Sequence, residues 1–137
     1  MVRAFAAIML CALLWEAAEA QRPDPACLRP TAPSIPDRAS LGMTLEQLVA
    51  INDQRDAYVA AADAYRLCLD LDIGRRQEAM VSGNAPADPM LQVRAEEHNE
   101  VSAERAEMMG RFVLMCLSWE NINQTSYSRG CYLDAED

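Results

Sequence analysis

Lysine is missing from this chain: all twelve basic residues are arginine, set against 21 acidic ones. We read the missing lysine as genomic base composition, and the acidic excess as the informative feature. A net charge of −9 leaves no basic patch to release counterions from nucleic acid or to attract anionic lipid, so neither is expected as a partner. Aromatic residues make up only 6%, too few to line a large ligand-binding core. There is one histidine, His98, and no CxxC pair, which argues against a redox motif or a zinc knuckle. GxSxG, HExxH and a glycine-rich phosphate loop are also lacking. No catalytic, cofactor-binding or metal-binding residue is therefore assigned, and an enzyme is not expected.

Long apolar runs are absent too. The longest, AFAAIMLCALLW at residues 4–15, has twelve residues, short of the roughly 20 that a membrane span needs. With Arg3 before it and Ala18-Glu19-Ala20 after it, it reads as a secretory leader over residues 1–20, cleaved before Gln21. Neither Cys11, which follows Leu10, nor Cys27, with Asp24 three places before it, has a lipoprotein context. Removing Arg3, Glu16 and Glu19 leaves 11 Arg against 19 acidic residues, a net charge of −8 on one domain of 117 residues. The expected location is periplasmic or secreted, with no membrane span after cleavage.

What is present is cysteine and proline in a telling arrangement. The mature chain carries Cys27, Cys68, Cys116 and Cys131, an even set that implies two disulfides by one of three pairings. Residues 21–43 form a Pro-rich arm without periodicity, expected to be extended and largely polyproline. Residues 44–137 form the helical domain with a C-terminal disulfide loop.

The helical domain opens on Thr44 as N-cap, Gln47 completing a capping box, and Met43 and Leu48 as a hydrophobic staple. Leu48, Ile51, Arg55, Tyr58, Ala62, Tyr65 and Leu69 then step by three and four, a heptad seam. Gly74 either ends this helix or is tolerated within one that runs on to Val81. SGNAPADP at residues 82–89 is turn chemistry, and Asp88-Pro89 restarts a helix. Leu91, Ala95, His98, Ser102, Arg105, Met109, Phe112, Cys116 and Trp119 give the second seam, ending near Glu120. Two long helices and a short loop predict an all-α, antiparallel two-helix hairpin of coiled-coil type. With so few large residues in mid-seam, such a hairpin needs staples.

The arm supplies one. Residues 27–40 in polyproline form reach about 43 Å at 3.1 Å per residue, and a helix from Thr44 to Cys68 rises about 36 Å. The arm can therefore double back along the first helix and join Cys27 to Cys68. Antiparallel register places Cys68 opposite a residue near 102, at least about two turns from Cys116. Cys116 is left to pair with Cys131 across a short loop.

Cys27-x-Arg-Pro, Pro33-x-x-Pro36 and Tyr65-x-x-Cys68-Leu69 together resemble small exported proteobacterial proteins that carry no assigned function. That resemblance implies a periplasmic helical protein and brings no catalytic residues with it. Met43-Thr44-Leu45-Glu46-Gln47 is similar to the Leu-Thr-x-x-Gln motif of helical-hairpin envelope-stress chaperones, which carry it twice.

Other residues admit sharper readings beside plain ones. His98, near Arg94, Glu97 and Glu100, has the chemistry for a metal or a proton, but on a seam it reads as a packed polar residue. Met90, Met108, Met109 and Met115 suit Cu(I), yet methionine at helical spacing reads as core filler. Tyr58 and Tyr65 read as core. Glu96, Glu97, Glu100, Glu104 and Glu107 read as a solvated acidic face, with Glu107 and Arg111 as an i,i+4 pair. Asn123-Gln124-Thr125 is a formal glycosylation sequon, relevant only in a eukaryote. The arm itself has the composition of a peptide ligand for aromatic grooves, a freedom lost if Cys27 is bonded to Cys68. The function expected is that of a non-enzymatic helical protein acting through an unidentified protein partner or a second copy of itself. The alternative is a periplasmic chaperone, or an envelope-stress or metal sensor, of the helical-hairpin type.

Overall fold

The computed structural model describes residues 27–83 and 86–132. The leader expected over residues 1–20 and the first residues of the arm, 21–26, lie outside the described residues. Two helices pack against each other: α1, Leu45–Gly83, of 39 residues, and α2, Pro89–Asn123, of 35 residues. Their starts are fixed locally. Thr44 Oγ1 accepts from the Gln47 N–H at 3.2 Å while the Thr44 N–H donates to Gln47 Oε1 at 2.9 Å. These two bonds form the capping box, and each satisfies a backbone donor that the helix leaves open. At α2 the Asp88 carboxylate accepts from the Met90 N–H at 2.9 Å, with Pro89 in the first turn. α2 stops at Gln124, which adopts left-handed φ 52 and returns its N–H to the Glu120 carbonyl.

α1 continues through Gly74 to Gly83. Gly74 is solvent-exposed, with nothing within 4 Å of where a Cβ would stand. It weakens the helix through backbone entropy without breaking it.

The helices are antiparallel. Arg55 lies over Phe112, Asp63 pairs with Arg105, Asp70 with His98, and Arg76 with Asp88. Tyr65 meeting Glu97 and Asp70 meeting His98 put Cys68 opposite residues 97–98, about a turn nearer the loop than the sequence predicts. Cys116 then lies about 18 residues, or about 27 Å, further along α2. The disulfides are accordingly Cys27–Cys68 and Cys116–Cys131, each with Cα atoms 5.5 Å apart.

The buried stripe of α1 is Leu48, Asn52, Arg55, Tyr58, Ala62, Tyr65 and Leu69. It matches the expected seam except that Asn52, 2% exposed, replaces Ile51, which is half-buried. On α2 the stripe is Val101, Met108, Phe112, Met115, Cys116 and Trp119. Ala95 is exposed, and Leu91, His98, Ser102, Arg105 and Met109 are only half-buried. The expected α2 seam is thus off by one residue through its middle. The arm packs along this side of α2, where Arg29 holds Glu100 and Glu104 and Ile35 lines a cavity with Met108.

Candidate functional site

The arm and the groove it fills bring together polar contacts from both helices. From the Cys27–Cys68 bond the arm runs antiparallel to α1 and parallel to α2, in the groove between them. Arg29 reaches Glu100 Oε2 at 2.9 Å and Glu104 Oε1 at 2.6 Å. Ile35, 2% exposed, and Ala39 enter the core. Asp37 faces Arg111 at 3.4 Å, and the Trp119 indole N–H donates to the Met43 carbonyl at 2.9 Å. The Met43 N–H then donates to the Ser40 carbonyl at 3.1 Å, closing a turn that holds Gly42 at φ 91, a value that favours glycine. A cavity of about 140 Å³ persists between Ala32–Ile35 of the arm and Glu104, Glu107, Met108 and Arg111 of α2.

The floor of the groove is apolar and its rim is acidic. The Tyr58 hydroxyl donates to Glu104 Oε2 at 3.4 Å, and the Tyr65 hydroxyl to Glu97 Oε2 at 3.5 Å. Burial, then the nearby carboxylate charge, raises both phenols above their ordinary range. They stay neutral and act as donors. Arg29 is raised too, chiefly by its hydrogen bonds to Glu100 and Glu104. The acidic run of α2 is therefore more than a solvated face. Glu100 and Glu104 hold the arm, Glu97 accepts from Arg94 and Tyr65, and Glu107 pairs with Arg111.

A second polar cluster sits near the base of the hairpin. Arg55 is 4% exposed, its guanidinium 4.0 Å from the centre of the Phe112 ring and 2.6 Å from Asp56. Asn52 also donates to Asp56, at 2.9 Å. From the C-terminal loop, Arg129 crosses back to Asp53 at 2.7 Å and Asp56 at 3.1 Å. Tyr127 is buried beside the Cys116–Cys131 bond, and its N–H donates to Glu120 Oε1 at 2.7 Å. A buried guanidinium stacked on a ring and bonded to a carboxylate is a structural device that fixes the packing of its neighbours.

The singled-out residues fall as follows. His98 is 23% exposed at its side chain, with Nε2 3.4 Å from Asp70 Oδ1, one position round the helix from the groove-facing Glu97. Met108 and Met115 are core, Met109 meets Arg105, and Met90 opens α2 at the far end. The four sulfurs do not converge. Tyr58 and Tyr65 are both core residues, each 4% exposed. Asn123 uses its amide to donate to the Trp119 carbonyl at 2.8 Å. Among the described residues, no three His, Cys, Asp or Glu stand close enough to hold a metal ion, and no helix is long and apolar enough to cross a membrane.

Sequence reasoning noted Arg29 only as part of the Cys27-x-Arg-Pro pattern, gave it no contact, and did not single out Ile35. The signal was available only in part: an arginine and an isoleucine, each beside proline, in an arm whose length matches the helix. No protein-family model, curated protein or solved structure matches this chain.

Proposed function

We propose that this is a non-enzymatic protein of the cell envelope, periplasmic or secreted, that works by contacting another protein through the outer face of α1. The observation that carries the proposal is a second heptad stripe, left uncovered. Ala57, Ala60, Ala64, Leu67, Leu71 and Gly74 step by three and four, and all are exposed, with Leu67 and Leu71 at 61% and 62%. The stripe runs about 26 Å along the helix without a charged side chain. Leu28, the next residue after the Cys27 that is bonded to Cys68, is 76% exposed as well. A smooth apolar track with this period suits a partner helix. An apolar surface kept bare on so acidic a protein argues for a contact site.

Two disulfides and the leader-like residues 1–20 support export. The polar side chains near His98 and Asp88 are already engaged in ion pairs and caps, which supports a structural role for them. The Thr44–Gln47 bonds account for the Leu-Thr-x-x-Gln likeness, so that motif adds nothing to the chaperone alternative. In the test, the oxidised chain and its Leu67→Glu/Leu71→Glu variant are each crosslinked in a periplasmic extract and compared by mass spectrometry. A specific crosslinked protein, or a self-dimer in light scattering, that the variant loses at unchanged helicity supports the proposal. Identical profiles for the two chains would exclude the α1 face.

A further inference from the structure

The two disulfides differ in access. Cys116 and Cys131 are 0% and 3% exposed, within the core, whereas Cys27 and Cys68 are half-buried at the mouth of the groove. Thiol–disulfide exchange needs a thiolate to reach a sulfur, so a small dithiol meets Cys27–Cys68 first. Its thiolate attacks one sulfur and the other leaves as a thiolate. The second thiol of the reductant then displaces the mixed disulfide and closes its own ring. Two electrons pass to the protein, and its two sulfurs end as thiols after taking up two protons.

The arm released in this way has transferable contacts. Arg29 is held by Glu100 and Glu104, Ile35 lines a cavity with Met108, and Asp37 faces Arg111. Each partner belongs to the hairpin, so an identical arm from another molecule satisfies all of them. The hinge is short. Swinging the arm out breaks the Met43–Ser40 backbone bond and leaves the capping box, which begins after it, in place. Gly42 gives this hinge its freedom. Leu41 and Leu45, on either side of this hinge, are 89% and 50% exposed.

We propose that the groove is a docking site for the arm of a second copy, opened by reduction of Cys27–Cys68 and resealed as a Cys27–Cys68 bond between molecules. Two arms and two grooves close a twofold pair, the low-cost geometry of an exchanged element. The groove lies on a different surface from the α1 stripe, so the proposal stands apart from the partner-binding reading.

Two experiments test it. In the first, ¹⁵N-labelled and unlabelled oxidised chains are mixed, treated with limiting dithiothreitol, concentrated and reoxidised, then mapped without reduction. Cys27–Cys68 peptides of mixed mass are expected, about half of all intermolecular links in an equal mixture of a twofold pair, while Cys116–Cys131 stays within one chain. In the second, an Arg29→Glu chain is mixed with a Glu100→Arg/Glu104→Arg chain. Like charges oppose seating of either arm in its own groove, whereas the glutamate arm fits the arginine groove of the other chain. The linked heterodimer should exceed the self-dimer of either copy by about tenfold. Only same-mass Cys27–Cys68 peptides after reoxidation, or opening of Cys116–Cys131 first, would overturn the proposal. Leu67 and Leu71 are intact in every chain used, so failure here leaves the stripe reading untouched, and the converse also holds.

Discussion

The base and the tip of the hairpin are one continuous pair of helices stabilised by different physics. At the base, Leu48, Ala62, Leu69, Val101, Phe112, Met115 and Cys116 are completely buried, and both disulfides close over them. Toward the tip, none of the described residues between 70 and 100 is buried. What joins the helices there is a ladder of polar contacts: Asp72, also held by Arg76 on its own helix, reaches Arg94, Arg76 reaches Asp88, and the Asp70 carboxylate meets the His98 ring. Exposed ion pairs contribute about 0–1 kcal/mol each, while a buried large side chain contributes about 1.5–3 kcal/mol. Helical continuity therefore hides a steep gradient of local stability, with the base set to unfold last.

The largest expected effect breaks the base. Phe112→Ala removes a fully buried ring together with the surface on which Arg55 lies, and should cost about 3–5 kcal/mol. Urea denaturation would show this as a large drop in midpoint; a loss below about 1 kcal/mol, typical of an exposed position, would mean the base is no core. Next come the staples. Cys27 and Cys68 are separated by 41 residues, and Cys116 and Cys131 by 15. Chain entropy assigns these loops about 4 and about 3 kcal/mol. Cys27→Ser/Cys68→Ser should therefore lower the melting temperature more than Cys116→Ala/Cys131→Ala, with helical circular dichroism surviving in both. The reverse order would show that the Cys116–Cys131 bond, and not Cys27–Cys68, organises the base.

Acid should sharpen the comparison at the tip. Burial pushes the Asp72 carboxyl up, but the Arg76 hydrogen bond and the charges of Arg76, Arg94 and Arg75 outweigh it and hold the group below its ordinary value of 3.8. Asp88 is lowered as well, first by Arg76 and then by the Met90 N–H. A depressed native pKa gives stability that is present above the unfolded value and lost as pH falls through the native one. Below about pH 4 the residues flanking the loop should lose hydrogen-exchange protection before those at the base, once rates are corrected for pH. Simultaneous loss at both ends would count against the gradient. The smallest effect is a gain: Gly74→Ala should stabilise by about 0.5–1 kcal/mol, seen as a slight rise in melting temperature.

Local signals were the ones legible in the sequence. Thr44 with Gln47, and Asp88 before Pro89, announce their helices because a cap is decided within three or four residues. The disulfide pairing followed from length and register, since an extended arm and a helix rise at known rates and an antiparallel hairpin keeps Cys68 from Cys116. The identity of the buried α2 face was harder to read. A two-helix seam predicts Ser102 and Met109, and the packing of a third element turns the stripe to Val101 and Met108. Glu100 and Glu104 looked solvated because the arginine that they hold lies more than seventy residues away. Asn52 displaced Ile51 because Asp56, on the next turn, satisfies its amide.

The order of the disulfides bears on how the molecule is made. Cys27 joins Cys68 and Cys116 joins Cys131, so among these four bonded cysteines the first pairs with the second and the third with the fourth. The two loops are neither nested nor interlocked. A chain oxidised as it emerges, amino end first, meets each correct partner as the next thiol to appear. Native connectivity then needs an oxidant alone, with no reshuffling by an isomerase.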